Sequence, residues 1–334
     1  MTVSLMRATR CIGKALLALA AVGFCAWSVL ALWYQGDGPD SSRLGLILSW
    51  LGLLVVAFWL DLVRPRWGVA LAAVMTMSFC AWWWTIEPRL DRDWSPDVAH
   101  IATGSRDGSV VTLDNVRDFD WTAPDQGAVR WHKRQYDLAN IASVDVVLSY
   151  WGIDAIAHTL VSFGFTDGRH VVFSVEIRKE RGEEFSSIAG FFKAYELALV
   201  AAEERDILYL RTNVRREDTY LYPLTIPRED MQALFLEYLD TGNRLAREPA
   251  FYDTLTANCT TVVFDLARMI EPGAPFDWRI VLSGFLPSYL ADSGVLAWDG
   301  EQADLERRAA IGARANSIGA AAVENYSDLV RSRP

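Results

Sequence analysis

Three uncharged apolar runs open the chain. Ala15 to Tyr34 gives twenty positions with only Gly23 and Ser28 as weakly polar members, Leu44 to Leu60 gives seventeen, and Gly68 to Ile86 nineteen. At 1.5 Å per residue each is close to what a helix needs to cross about 30 Å of hydrocarbon. Backbone groups find no partner in lipid, so such runs are expected as helices. Trp33, Tyr34, Trp67 and the Trp82-Trp83-Trp84 cluster fall at run ends, where amphipathic rings favour the headgroup layer. The pattern predicts a membrane part over residues 1–89. A cleaved signal peptide is shorter and ends in small residues, and a lipoprotein signal ending at Cys25 would not continue apolar beyond it.

After Ile86 the pattern changes. Residues 87–97 are charged and Pro-punctuated, as in a linker. Val110–Val116, Val144–Tyr150, His158–Phe165 and Val171–Ile177 read as strands, the last two as a hairpin around Thr166-Asp167-Gly168, and Asp118–Gly127 reads as a loop. Residues 190–205 carry Phe191, Tyr195, Leu199 and Val200 at spacings of four or five and predict a helix. A second helix is expected from Glu229, with Met231, Leu234, Phe235, Tyr238 and Leu239 on one face. A third starts after Asn258 and is ended by Pro272-Gly273. The expected body is one α+β domain over 90–300, followed by a helical tail over 301–334.

Charge divides the chain at the same place. Residues 1–89 hold seven Lys and Arg against four Asp and Glu, whereas the other 245 residues hold 25 against 38. An acidic body argues against nucleic-acid binding, which needs a basic face. Arg7, Arg10 and Lys14 precede the first run, and Arg64 and Arg66 separate the second from the third. The positive-inside rule then puts the N-terminus in the cytoplasm and everything after Ile86 outside. In a bacterium that is the periplasmic side of a multi-pass inner-membrane protein.

Four cysteines, three of them in the front part, exclude a disulfide-stapled scaffold. Cys259 stands alone in the exported body, directly after Asn258. Asn258 is a good N-cap, so Cys259 occupies the first helical position, where the helix dipole and free N–H groups favour thiolate. Those N–H groups also offer an oxyanion hole. The plainer alternative is a small buried hydrophobe. Of the four histidines, His158 begins a strand beside a core, His170 follows the Asp167-Gly168 turn and is expected in solvent, and His100 and His132 lie in polar loops. Ser174 and Glu176 share a strand face, and a carboxylate at Glu176 can orient an imidazole. A structural histidine and an ion pair between Glu176 and an arginine explain the same residues.

Metal chemistry has weaker support. Asp154 and His158, four apart, would share a face only on a helix, and no second histidine pair accompanies them. No nucleophile elbow, phosphate loop or dinucleotide fingerprint occurs. No cofactor is expected.

Several strings recur in a recognisable order: Asn115-Val116-Arg117-Asp118-Phe119, His158 with Ser162-Phe163-Gly164-Phe165, Ser174-Val175-Glu176-Ile177-Arg178, and Tyr195-Glu196-Leu197. Glu204-Arg205-Asp206, Phe251-Tyr252-Asp253-Thr254 and Asn258-Cys259-Thr260-Thr261 complete them. Together, over residues 94–275, they resemble the bacterial family named for the periplasmic domain of Lnb, a lipoprotein N-acyltransferase. The resemblance implies a permuted papain-like (NlpC-type) domain with the histidine strand ahead of the cysteine helix. It makes Cys259 the nucleophile, His158 its base and Glu176 the third member, with Ser174 a rival on the same face. Asn258 supports the site, and Arg178 and Arg205 are candidates for binding an anionic headgroup. It further implies thiol acyl transfer, with a membrane phospholipid as donor and a lipoprotein or other amine as acceptor. The order of parts departs from Lnb, whose membrane part follows the domain, and this leaves donor and acceptor open.

Two other readings stand beside it: a cysteine peptidase or amidase acting on cell-wall peptides, and a non-catalytic membrane protein with a structural Cys259. Lipid chemistry predicts an apolar groove beside Cys259 that opens toward the membrane, wall-peptide cleavage a polar, solvent-facing cleft, and a binding protein a Cys259–His158 distance too long for proton transfer.

Overall fold

The computed structural model describes residues 2–270, 273–318 and 325–332, with side chains from Ile12 onward except that of Ile270. The side chains of Arg7, Arg10 and Cys11 and the expected helix terminator Pro272 lie outside what is described. The chain forms two compact units, Met1–Pro88 with Ser186–Ala194, and Arg89–Phe185 with Tyr195–Pro334.

The first unit contains α1 (Thr2–Gln35), α2 (Asp40–Val63) and α3 (Pro65–Thr85). All three are long and apolar enough to cross a membrane. The contiguous apolar runs set them: α1 and α2 extend past their runs at both ends, α1 by a full N-terminal segment, while α3 starts before its run and ends one residue short of it. Aromatic rings hold the bundle together: Phe79 packs edge-on to Phe24 and Trp27, and Trp50 lies 4.9 Å from it. Buried Ser28 accepts from Trp50 Nε1 at 2.9 Å and donates to Cys25 O, so the polar groups here are satisfied.

Segment 186–194 belongs to this helical unit although it follows the body strands in sequence. Phe192 stacks on Tyr34 at 5.5 Å, and Gln35 Nε2 donates to the carbonyls of Phe192 and Lys193 at 2.6 and 2.9 Å. Lys193 Nζ donates to Trp83 O and Ile86 O.

The second unit is built on a large sheet. Its strands are β1 (Thr103–Asp107), β2 (Val110–Arg117), β5 (Trp131–Asp137), β6 (Ile141–Tyr150), β7 (Ala157–Phe165), β8 (His170–Arg178), β9 (Glu196–Glu203) and β10 (Asp218–Pro223). The order is β1-β2-β9-β8-β7-β6-β10, with β5 also pairing β2. Every pair is antiparallel except β2–β9. Asp118–Gly127, expected as a loop, contributes a separate hairpin of β3 (Asp120–Ala123) and β4 (Gln126–Ala128).

The expected helix over 190–205 is not formed. Glu196–Glu203 is a central strand, buried at every position but its last. Both its faces are covered, so the polar alternation of a half-exposed strand is missing, and spacings of four or five in an unbroken apolar run mimic a helix.

One sheet face carries Phe163, Phe173, Leu199 and Ala201 and packs against Phe235 and Tyr238 of α5 (Arg228–Leu245) and Leu266 of α6 (Cys259–Ile270). The other face carries Leu160, Val172, Val200 and Ala202 and packs against Ile207 and Leu208 of α4 (Glu204–Tyr209). A single π-type turn, Leu210–Val214, continues α4. At the β6–β10 edge lie α7 (Trp278–Val281) and α8 (Leu286–Asp292). Beyond residue 301 the described residues form α9 (Gln302–Ala309), α10 (Gly312–Ile318) and α11 (Tyr326–Arg331), which pack on the same sheet through Leu305, Ala309, Ile311, Ala315, Tyr326 and Val330.

Candidate thiol site

The site grows from a hairpin and a helix start. β7 and β8 pair with Leu160 opposite Ser174; carried two residues on, that register sets His158 opposite Glu176. Opposed residues point to one face of a sheet, as do residues two apart, so His158, Ser174 and Glu176 share a side. His158 Nε2 lies 2.7 Å from Ser174 Oγ and 3.1 Å from Glu176 Oε1, and Ser174 Oγ donates to Glu176 Oε1 at 2.7 Å. The hydroxyl has one proton, which goes to the carboxylate, so its oxygen accepts from the imidazole. Nε2 therefore carries a proton in either charge state, and the neutral ring has its lone pair on Nδ1.

Helix α6 supplies the thiol. Asn258 Oδ1 accepts from the N–H groups of Thr260 and Thr261, both at 2.9 Å, which is the N-cap arrangement. Val262 N–H bonds to Asn258 O. Three of the four first-turn donors are thus taken, and of them the Cys259 N–H is left for an oxyanion. This narrows the oxyanion hole expected from the sequence. Cys259 Sγ lies 4.0 Å from Ala157 O, next to His158, with which it shares a hydrogen bond, and 3.8 Å from Thr260 Oγ1. The helix is tied to the strand by Thr159 Oγ1 and Thr260 Oγ1, 2.8 Å apart.

Charges within this cluster reinforce one another. Burial and the nearby Arg211 cation work against a protonated His158, but Glu176 and Cys259 outweigh them, and its pKa is pushed up to about 9. Burial would raise the Cys259 thiol; the charge and hydrogen bond of His158, the Thr159 backbone and the Thr260 hydroxyl overcome it and hold the thiol below its ordinary value. Glu176 is held well below the carboxylate range against its burial by His158, Arg211 and Ser174. His158 is therefore protonated at neutral pH, and the thiol beside it is shifted toward thiolate.

Residues 128–284 match the family model described as the Lnb N-terminal periplasmic domain. Over that stretch the chain is similar to that family. The match includes His158, Ser174, Glu176, Asn258 and Cys259, but the Asn115–Phe119 string lies outside it. No protein of curated function and no solved structure matches the chain.

Two residues of the Lnb-type domain join the cluster without having been singled out by sequence. Arg211, on the π-type turn, donates from Nη2 to Glu176 Oε1 at 3.2 Å and from Nη1 to Glu217 Oε2 at 3.0 Å. Glu217 in turn accepts from Ser149 Oγ at 2.5 Å. Neither Arg211 nor Glu217 carries a local signal, because a turn after a short helix brings them in.

Arg178 and Arg205 stand apart from the thiol. Arg178 donates to Val98 O and Ala99 O and lies over the Trp94 ring at 4.4 Å. Arg205 is paired with Asp118 and Asp120. Backbone carbonyls and carboxylates of the fold thus occupy both guanidinium groups that the sequence suggested for a headgroup. The strings around them have a structural reason: Arg117 makes a bidentate bond to Asp206 at 3.0 Å per arm, and Asp206 also accepts from Phe119 N and Trp121 Nε1.

The remaining histidines lie elsewhere. His132 is on β5 beside Asp118, at 3.3 Å, and His100 packs edge-on to Trp131. His170, expected in solvent, is buried, with Nδ1 3.2 Å from Gly168 O. His158 lies in a strand and Asp154 in the loop before it, so the helix-face pair weighed for a metal does not form. Among the described residues no group of three or more His, Cys, Asp or Glu is arranged to hold a metal ion.

Proposed function

We propose that this membrane-associated protein is a thiol enzyme that moves acyl groups from a membrane lipid ester. The observation that carries the reading is the hydrogen-bonded series Cys259, His158, Ser174 and Glu176, in which the proton positions leave Nδ1 of the neutral ring as the base for the thiol. In this reading the domain is papain-like in permuted order, histidine strand first. The three helices cross the inner membrane with the N-terminus cytoplasmic and the domain in the periplasm.

Cys259 thiolate attacks the ester carbonyl carbon, forming a C–S bond, and the Cys259 N–H holds the developing oxyanion. Collapse breaks the carbonyl C–O bond, and the imidazolium gives its proton to the departing alkoxide, releasing a lysolipid. An amine nitrogen, or water, then attacks the thioester and gives up a proton to His158, and thiolate departs. An amine acceptor such as a lipoprotein N-terminus makes the reaction acyl transfer, and water makes it hydrolysis. Anchoring the site at the bilayer raises the effective concentration of both partners.

The test is intact-mass spectrometry of the full chain in phospholipid nanodiscs, with and without Cys259→Ala, together with mass analysis of lipoprotein N-termini in the host. An acyl adduct on Cys259 that disappears in the variant is expected. A folded protein with no adduct, and with host lipids, lipoproteins and wall peptides unchanged by the substitution, would overturn every catalytic version.

A further inference from the structure

Three loops meet at the start of β7, and each presents large apolar side chains to solvent. The β6–β7 loop carries Trp151 and Ile153. The loop ahead of Asn258-Cys259 carries Leu255, and the α7 region carries Trp278, Leu282 and Phe285. These six are 37 to 63 % exposed. They are held together: Ser283 Oγ donates to Ala157 O at 2.6 Å and accepts from Ala157 N at 2.9 Å, while Gly284 N bonds to Ala155 O at 3.0 Å. A Cβ on Gly284 would run into the Asp154 carbonyl, so glycine is what lets the two loops touch. Trp278 and Phe285 pack at 5.2 Å between ring centroids. Ala157 is also the residue whose carbonyl lies nearest the Cys259 sulfur, at 4.0 Å. The apolar residues therefore stand on the loops that flank the strand start nearest the thiol, as a rim on that side.

We infer that this rim dips into the bilayer interface and is where lipid reaches Cys259. Scattered exposed hydrophobics need no explanation, but six of them on loops that flank one thiol do. Two of the six are tryptophans, whose rings favour the headgroup layer. The occupant follows from the chain itself. Only residues 86–95 separate the end of α3 from the first short helical turn of the domain, Pro96–Val98, a reach of roughly 3.3–3.6 Å per residue. Residues 186–194 of the connection between β8 and β9 belong to the helical unit. A soluble protein partner would have to compete with a bilayer that is always within reach. The residues after 89 carry an excess of acidic groups, and Asp154 is exposed at the rim's edge, so attraction to anionic lipid does not drive the contact. Apolar burial does, and the contact is insensitive to salt.

The inference rests on the lipid reading for the identity of the substrate, but the bilayer contact stands without it. The full chain is reconstituted in phosphatidylcholine nanodiscs containing a phosphatidylcholine with a diazirine in its acyl chain, irradiated and mapped by mass spectrometry. Adducts are expected on peptides covering residues 151–153 and 278–285, at low and high salt alike, and unchanged in Cys259→Ala. The double variant Trp278→Ser, Phe285→Ser loses them by at least about tenfold, as expected for removing large apolar anchors. Ile153→Ser supplies an independent variant, and alkylation of Cys259 by iodoacetamide checks folding of each. Adducts confined to α1–α3, or rim adducts unaffected by the substitutions, overturn the inference; the first result would favour another protein as the rim's cover. Rim adducts without acyl-Cys259 sustain the bilayer contact and reject lipid-ester chemistry.

Discussion

Arg211 is the residue whose replacement tests the electrostatics of the site most directly. Its guanidinium bonds to Glu176 Oε1 at 3.2 Å, and that oxygen lies 3.1 Å from His158 Nε2. The cation and the imidazolium are thus about 6 Å apart, and at an effective dielectric of about 20 they repel by about 2.8 kcal/mol, about two pH units. Arg211→Met removes this repulsion, so His158 holds its proton to higher pH than the value of about 9 it has with Arg211 present. The assay is the pH dependence of iodoacetamide alkylation of Cys259 in the full chain, read from the peptide that contains it. Alkylation by a thiolate paired with imidazolium differs in rate from alkylation by a thiolate beside neutral imidazole, so loss of the His158 proton appears as an upper step. That step moves upward by about one to two pH units in Arg211→Met and stays near its original place in Arg211→Lys, which keeps the charge. Removal of one partner from a buried ion pair also costs about 3–5 kcal/mol of stability, so the two variants are compared below their unfolding temperatures. An upper step that stays in place or moves down in folded Arg211→Met would refute the reasoning.

Three further outcomes follow from buried contacts. Arg331 pairs with Glu204 and Asp145 and holds Glu204 down to about 2 against its burial. That contribution is fully present above the ordinary value of 4.5 and is lost as pH falls toward 2. Arg331→Met therefore lowers the Tm most above pH 4.5, and the gap from the parent closes on acidification. Asn258→Ala removes the α6 cap at a cost of about 1 kcal/mol and frees two N–H groups beside the thiol, so Cys259 alkylation is expected to set in at lower pH, with a small fall in Tm. Asp206→Asn breaks the buried bond with Arg117 and costs about 3–5 kcal/mol. Where this variant is still folded, its Cys259 alkylates at the parent rate, and a large change in that rate would argue that the Arg117–Asp206 pair serves the site as well as the fold.

The thiol site was legible in the sequence where its logic is local. Asn258 ahead of an amphipathic segment specifies a helix start, and the cap then fixes where Cys259 sits. A hairpin with its turn at Asp167-Gly168 puts Ser174 and Glu176 on one side by period alone. Whether Ser174 or Glu176 partners the imidazole could not be read, because both lie on that face; the hydrogen bonds show that Ser174 stands between ring and carboxylate while Glu176 also reaches the ring. Arg178 follows the same period as Glu176, yet its side chain turns to the Val98 and Ala99 carbonyls, which come from a part of the chain some eighty residues earlier. Arg211 gave no signal, since its contact with Glu176 depends on a turn whose course is set by packing.

By itself the sequence determined the three apolar helices, because a membrane demands unbroken runs and leaves little for tertiary packing to decide. It also determined the strand hairpin and capped helix that carry His158 and Cys259, because period and capping act within a few residues. Only the tertiary structure decided that residues 196–203 form a central strand, that segment 186–194 belongs to the helical unit, and that Arg205 and Arg117 cross-pair with Asp118 and Asp206. Each of these depends on what covers a side chain from a distant part of the chain. An apolar run buried on both faces has no period to read, and a buried charge takes its meaning from the partner that the fold brings to it.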